Sequence, residues 1–483
     1  MKRGRFSSAG LTLGLGYVGE HGLLFLRTVL IARLLGPEFF GISITFLLVT
    51  STFALISDLG IEKYVIQARE EELGTTMPTV ASLLLARGLI MALVILALSG
   101  WIAARFGNPE LGWFYACAAA IPAIEGLRHL DPLVQQRSMR FATYVKMQLG
   151  GLVPGVLLTI ALAFVTRSYT AIIAGCLATS VISVALSHIL ARTPYRLGLA
   201  REALRPVLTY GWPLLLNGGV IFLATQGDRI VIGALKGMAD LAGYVAVAAL
   251  TGGASIFLAR LFGNLCLPLL SEARYNAAMY AERVRTTGAA SLLMLSATLV
   301  PIAVMGAPIV VLLFGAGYKT APLLVAFLAI QAAATVLRAW CVCISLSVGG
   351  TSDILANNLL RITGLGGAFV ALSMGHGVVW VAGFMCAGDV AATFLSLFQV
   401  TRRTATAARP AVFFGAMFAI LAGLVLAVQA LIDPYAGWAL PLLTALLCSG
   451  AGVCAALFAS NDLRRRLLAG ATQVLKIAKR KGG

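Results

Sequence analysis

The chain has 483 residues, 59% of them hydrophobic and only 12% charged, with a formal net charge of +18. A soluble protein of this length needs far more charge to cover its surface, which excludes an ordinary soluble enzyme or binding domain. The positive balance does not mark a nucleic-acid partner either, because the basic residues sit between apolar runs and at the two ends.

The apolar runs have the length that a bilayer core demands of a helix, about 20 residues. In chain order they predict spans over 9–35, 39–57, 79–104, 111–127, 144–166, 169–191, 207–235, 240–269, 286–314, 319–347, 352–374, 376–400, 409–432 and 436–459. The expected fold is therefore all-α, a polytopic membrane protein of about fourteen helices. Lys2, Arg3 and Arg5 ahead of the first run imitate a secretory signal. That run holds Glu20 and His21 and continues to Leu35 without a cleavage site, so it reads as an uncleaved first span.

If both termini lie on one side, 26 Lys and Arg residues gather there, against five on the other side: Arg33, Arg105, Arg167, Lys236 and Lys319. The positive-inside rule then makes both termini cytoplasmic. Residues 463–481 alternate an apolar face (Leu467, Leu468, Ala471, Val474, Leu475) with arginines and lysines, and are expected to lie as an amphipathic helix on the inner leaflet.

A weak internal repeat is present. Arg27, Val29, Ala32 and Gly41 recur 202 residues later as Arg229, Val231, Ala234 and Gly243. Six spans precede the second copy, which predicts two parallel six-helix halves. The division expected is 1–191, a linker at 192–206, 207–400, two further spans in 401–459 and a basic tail at 460–483.

No catalytic or metal site stands out. The eight cysteines form no CxxC and lie in or beside apolar stretches, where they read as small hydrophobes. The four histidines, His21, His129, His188 and His376, form no triad or ligand spacing, and no loop is long enough to fold alone.

The informative residues are charges inside the spans: Arg27, Arg87, Arg229, Arg260, Arg338 and Arg361, against Glu20, Asp228, Asp389 and, near a helix end, Glu125. A mid-span arginine costs about 2.5–3.5 kcal/mol on insertion scales, so six facing lipid would cost on the order of 15–20 kcal/mol. That exceeds the net stability of a typical fold. The arginines must instead face water, partners or both. Helical spacing puts Glu20 on one face with Arg27, Gln331 with Arg338, Asn217 with Asp228, Arg260 with Asn264, and Asn357 and Asn358 with Arg361. Such polar stripes suit a substrate path. With few acids the interior is net cationic, which favours an anionic substrate, and phosphate above others because the guanidinium offers it a planar fork of donors. Arg338, Arg361 and Asp389 fall at similar depth in neighbouring spans and are equally well read as a structural ion network.

Several stretches resemble one family. Residues 32–41 (ARLLGPEFFG) and 57–67 (SDLGIEKYVIQ) resemble the start of polysaccharide flippases, and 227–237 (GDRIVIGALKG) resembles the start of their second half. Residues 267–272 (LPLLSE) and 311–318 (VLLFGAGY) resemble later signatures, so that the likeness covers most of 10–400. The chain is similar to the polysaccharide transporter branch of the multidrug/oligosaccharidyl-lipid/polysaccharide (MOP) superfamily. The resemblance implies two six-helix lobes around a central cavity, with two extra helices in some members. It also implies transport of an undecaprenyl-diphosphate-linked oligosaccharide, such as an O-antigen unit of lipopolysaccharide, from the cytoplasmic to the periplasmic leaflet by alternating access.

On that reading the diphosphate and sugar contacts are expected from Arg27, Arg229, Arg260, Arg87, Asn217 and Asn264, with Arg27 and Arg229 as repeat partners on opposite lobes. Glu20, His21 and Asp228 are the groups expected to bind a coupling ion, H+ or Na+. No other cofactor is expected. The expected setting is a monomer in the bacterial inner membrane, among membrane lipids and beside polymerase or chain-length machinery. A lipid II flippase and a multidrug exporter of the same superfamily are alternatives; the exporter calls for an acidic cavity. A membrane O-antigen ligase or polymerase calls for a sizeable periplasmic loop with catalytic residues, and the chain has none.

Overall fold

A computed structural model describes residues 2–67, 73–138, 140–350, 352–435, 437–460 and 464–465. Every regular element among them is helical. The expected tail helix at 463–481 lies outside the described residues apart from Arg464 and Arg465.

The chain runs through α1 (Lys2–Ile56), α2 (Ile61–Gln67), α3 (Leu73–Arg105), α4 (Gly112–Ala116), α5 (Ala120–Glu125), α6 (Asp131–Arg137), α7 (Phe141–Thr166), α8 (Ala171–Ile189) and α9 (Arg201–Leu235). It continues through α10 (Met238–Ala273), α11 (Ala277–Phe314), α12 (Pro322–Ser347), α13 (Ser352–Ser373), α14 (Val378–Arg403), α15 (Ala405–Leu431) and α16 (Ala439–Ala459). Among the described residues, 12 helices are long and apolar enough to cross a membrane. The first of these joins two expected spans, 9–35 and 39–57. Gly36, with φ 77° and ψ 173° and Pro37 behind it, is non-helical and divides this stretch into two helices at the expected boundary. A side chain at Gly36 would be strained in that left-handed conformation. The matching stretch of the repeat also turns at a glycine of positive φ, Gly237 at 91°, between α9 and α10. The span expected over 111–127 is made of consecutive short helical segments, Gly112–Ala116, Cys117–Ala119 and Ala120–Glu125, rather than one regular helix.

The helices group into two compact units, Met1–Ala246 with Leu313–Tyr318, and Val247–Leu312 with Lys319–Gly483. In the first, α7 and α8 cross so closely that a Cβ on Gly175 would stand 2.7 Å from the Gly155 carbonyl oxygen and 1.6 Å from Thr159 Oγ1. Small residues permit this approach, and close van der Waals packing is what drives helix association in lipid. The same unit takes in α9, beyond the expected linker at 192–206. The α9 backbone lies under α1, where the Leu55 carbonyl oxygen is 2.4 Å from the place of a Cβ on Gly218. Phe46, Phe114 and Tyr115 form a buried aromatic group there, and Tyr115 OH and Thr45 Oγ1 are 2.7 Å apart. In the second unit α12 runs through the interior. Its Trp340 is fully buried, packs edge-on against Phe414 and donates Nε1–H to Thr287 Oγ1 at 3.1 Å.

Candidate functional site

The intramembrane charges sort into those that meet an opposite charge and those that meet only neutral groups. In the second unit, Asp389 of α14 is 1% exposed and sits between two arginines. Its Oδ1 is 2.8 Å from Arg338 Nη1 of α12 and 2.7 Å from Arg361 Nε of α13. Gln331 donates Nε2–H to Oδ2 at 2.7 Å. Gln331 and Arg338, two helical turns apart, thus grip the same carboxylate from one face of α12. The network keeps one net positive charge.

The first unit holds a second cluster around a cavity of about 80 Å³, lined by Arg87, Ser57, Glu62, Glu125 and Arg128 among others. Arg128 takes both acids, with Glu62 at 3.1 Å and Glu125 at 3.6 Å. Those two carboxylates hold the Arg128 guanidinium above its ordinary pKa against the opposing effect of burial. Arg87 instead donates Nε–H to Ser57 Oγ at 3.1 Å and Nη2–H to the Ala54 carbonyl at 3.4 Å.

Arg27 in α1 lies beside the Cys176 thiol of α8. Arg229 in α9 donates Nη1–H to Gln226 Oε1 at 2.9 Å, while its Nε is buried without a hydrogen-bond partner. Among the described residues, Arg27, Arg87 and Arg229 make no ion pair. Arg27 and Arg229 both belong to the first unit. Arg260 and Asn264 are exposed on α10 in the second unit, and Asn217 is half-buried on α9.

The expected coupling groups are separated. Asp228 is 7% exposed; its Oδ2 accepts a 2.5 Å hydrogen bond from Tyr244 OH, and its Oδ1 accepts one from the Arg229 backbone N–H. Glu20 is half-buried in a small crevice with Tyr17, Tyr144 and Gln148 and makes no ion pair among the described residues. His21 is half-buried one residue on. Among the described residues, no group of three or more His, Cys, Asp or Glu is placed to hold a metal ion.

Sequence reasoning missed Arg128 and Glu62, whose pairing spans 66 positions and leaves no local signal. It also missed Tyr244 and Cys176 as partners of Asp228 and Arg27, since contacts between helices do not show in the periodicity of either helix.

Several solved structures share the fold. A lipid II flippase MurJ in an inward closed conformation aligns at TM-score 0.66 and 14% identity, over 95% of this chain and 99% of that one. An inward-facing multidrug resistance MATE family transporter of the MOP superfamily aligns at 0.62 and 16%, over 83% and 99%. A MOP superfamily transporter from Pyrococcus furiosus aligns at 0.51 and 15%, over 82% and 95%. The fold is that of a MOP-superfamily transporter. No curated protein matches the sequence. Residues 30–322, more than half of the chain, match the model of the family described as polysaccharide biosynthesis protein, and the chain belongs to that family.

Proposed function

We propose that the protein is a flippase that carries an undecaprenyl-diphosphate-linked oligosaccharide from the cytoplasmic to the periplasmic leaflet of the bacterial inner membrane by alternating access, with both termini cytoplasmic. The observation that carries this reading is the division among the arginines. Arg338 and Arg361 share a buried carboxylate, whereas Arg27, Arg87 and Arg229 keep their charge inside the spans with neutral partners only among the described residues. An uncompensated guanidinium in low dielectric is costly unless a ligand supplies the anion. A diphosphate supplies several acceptor oxygens at the spacing of the guanidinium fork.

In this account Arg87 and Arg260 take the diphosphate from the cytoplasmic leaflet, with Asn217 and Asn264 offering neutral contacts to the sugar. Arg27 and Arg229, both carried by the first unit, hold it during the outward step. The unpartnered Nε of Arg229 is a donor left over for it. Arg338, Arg361 and Asp389 serve packing. Inward movement of H+ or Na+ on Glu20, His21 or Asp228 resets the carrier, and Glu20→Gln with undiminished export would remove Glu20 from that role.

The test is polymer export in cells at matched membrane levels. Arg27→Ala and Arg229→Ala should abolish export, and the lysine versions should restore it only in part, because lysine lacks the paired donors. Near-normal export in both alanine variants would end the proposal.

A further inference from the structure

A cavity of about 490 Å³ in the first unit lies away from these arginines, between the start of α3, the start of α6 and the connection from α8 to α9. Met77, Pro78, Leu130 and Val134 give it apolar walls, and Tyr195 and Arg196 stand on the side of the connection.

That connection is fixed in place. Asp131 accepts hydrogen bonds from the Arg192 backbone N–H at 3.0 Å and Thr193 Oγ1 at 3.2 Å. Gly198 N–H donates to Ser82 Oγ and Ala200 N–H donates to Thr79 Oγ1, each at 3.0 Å. Between these ties the chain reads Tyr195, Arg196, Leu197, Gly198, Leu199. Leu197 is 52% and Leu199 72% exposed, so the tied segment turns apolar side chains outward. Arg192 and Arg196 are exposed along the same connection, and Arg201 and Arg205 are exposed in the first turns of α9.

Exposed leucines, a tyrosine and arginines in one segment that joins two membrane helices are the composition of a bilayer interface. Asp131 in the cavity wall keeps its negative charge, because Gln135, Thr193 and the Arg192 backbone are neutral donors, but the four arginines of this stretch outnumber it and the exposed Glu202.

We infer that this cavity is a binding site for an anionic phospholipid of the inner leaflet, its phosphate on Arg196 and its glycerol and upper acyl carbons against Met77, Pro78, Leu130 and Val134. The orientation is the one adopted in the functional proposal; the site itself needs no transport activity. One arginine near an anionic lipid headgroup contributes about 1 kcal/mol, close to a fivefold change in affinity.

The experiment is lipid binding to the full-length purified protein in neutral detergent, by titration with short-chain phosphatidylglycerol and, separately, phosphatidylcholine. Phosphatidylglycerol should bind more tightly. Arg196→Gln should weaken it about fivefold and leave phosphatidylcholine unchanged, while Arg196→Lys should retain most of the affinity. Arg464→Gln with Arg465→Gln, which removes equal or greater charge elsewhere, should leave binding intact. Equal binding of the two lipids, or an Arg196→Gln protein that binds phosphatidylglycerol like the wild type, would overturn the inference. Displacement of phosphatidylglycerol by equimolar inorganic pyrophosphate would also overturn it, by making the site a reader of phosphate from any source. A protein that binds phosphatidylglycerol at Arg196 yet moves no lipid-linked sugar would leave this site standing and sink the transport proposal alone.

Discussion

Replacing Asp389 with asparagine removes one negative charge from between two arginines while keeping nearly the same shape. Arg338 and Arg361, with side chains 9% and 15% exposed, would then share the interior with no opposite charge within 4 Å among the described residues. The 2.7 Å bond from Gln331 can survive on the asparagine oxygen, so the loss falls on the ion pairs. Breaking a buried pair from one side costs about 3–5 kcal/mol, because it strands the remaining charge. Arg361→Gln strands nothing, since Arg338 still holds Asp389, and the cost should be that of one charged hydrogen bond, about 1.5–3 kcal/mol. A triple change to Arg338→Met, Arg361→Leu and Asp389→Leu should recover most of the stability lost in Asp389→Asn, as apolar replacement of a buried ion network often does. Unfolding in detergent followed by tryptophan fluorescence can rank them, because Trp340 is fully buried in the same unit. An Asp389→Asn protein as stable as the wild type, or less affected than Arg361→Gln, would refute the reasoning.

Gly175→Ala should destabilise the first unit by about 1–3 kcal/mol, because the new methyl meets the Gly155 carbonyl, which cannot move aside as a side chain can; thermal unfolding of the purified protein checks it. His129 is held below its ordinary pKa by burial and then by the neighbouring His188. The unfolded chain therefore takes up the proton first, and the stability His129 contributes is whole above about pH 6.5 and is lost as the pH falls through the folded value. Between pH 7 and pH 5 the wild type should lose more stability than His129→Asn; parallel pH profiles would contradict this. Arg128→Ala should cost about 1–2 kcal/mol, at the low end for a pair because both glutamates are nearly half exposed, and a double-mutant cycle with Glu62→Gln measures the share due to that contact.

Much of the fold was legible because a bilayer imposes a length on every crossing element, and apolar runs report that length directly. The break at Gly36 was legible as a boundary, because glycine followed by proline is a helix-ending signature, and the non-helical φ and ψ of Gly36 separate two helices there. The short segments over 112–125 were hidden for the opposite reason, as their composition is that of an ordinary apolar helix. The network at Asp389 could be read because Gln331 and Arg338 share a face and the acid lies at matching depth. The placement of α9 could not, because the repeat assigns it to the second half while the close approach of Gly218 to Leu55 puts its packing in the first unit. Which arginines lack an acid is a property of contacts across helices, and only the structure separates Arg27, Arg87 and Arg229 from Arg338 and Arg361.

The most direct measurement is transbilayer movement in proteoliposomes that contain the purified protein and a fluorescent polyprenyl-diphosphate oligosaccharide, scored by protection of the label from a membrane-impermeant quencher. The wild type should move the diphosphate-linked lipid and move its monophosphate analogue much more slowly. Arg27→Ala and Arg229→Ala should each slow the diphosphate lipid by tenfold or more, the loss of about 1.4 kcal/mol or more of binding. Equal rates for the two lipids, or wild-type movement by both alanine variants, would contradict the account.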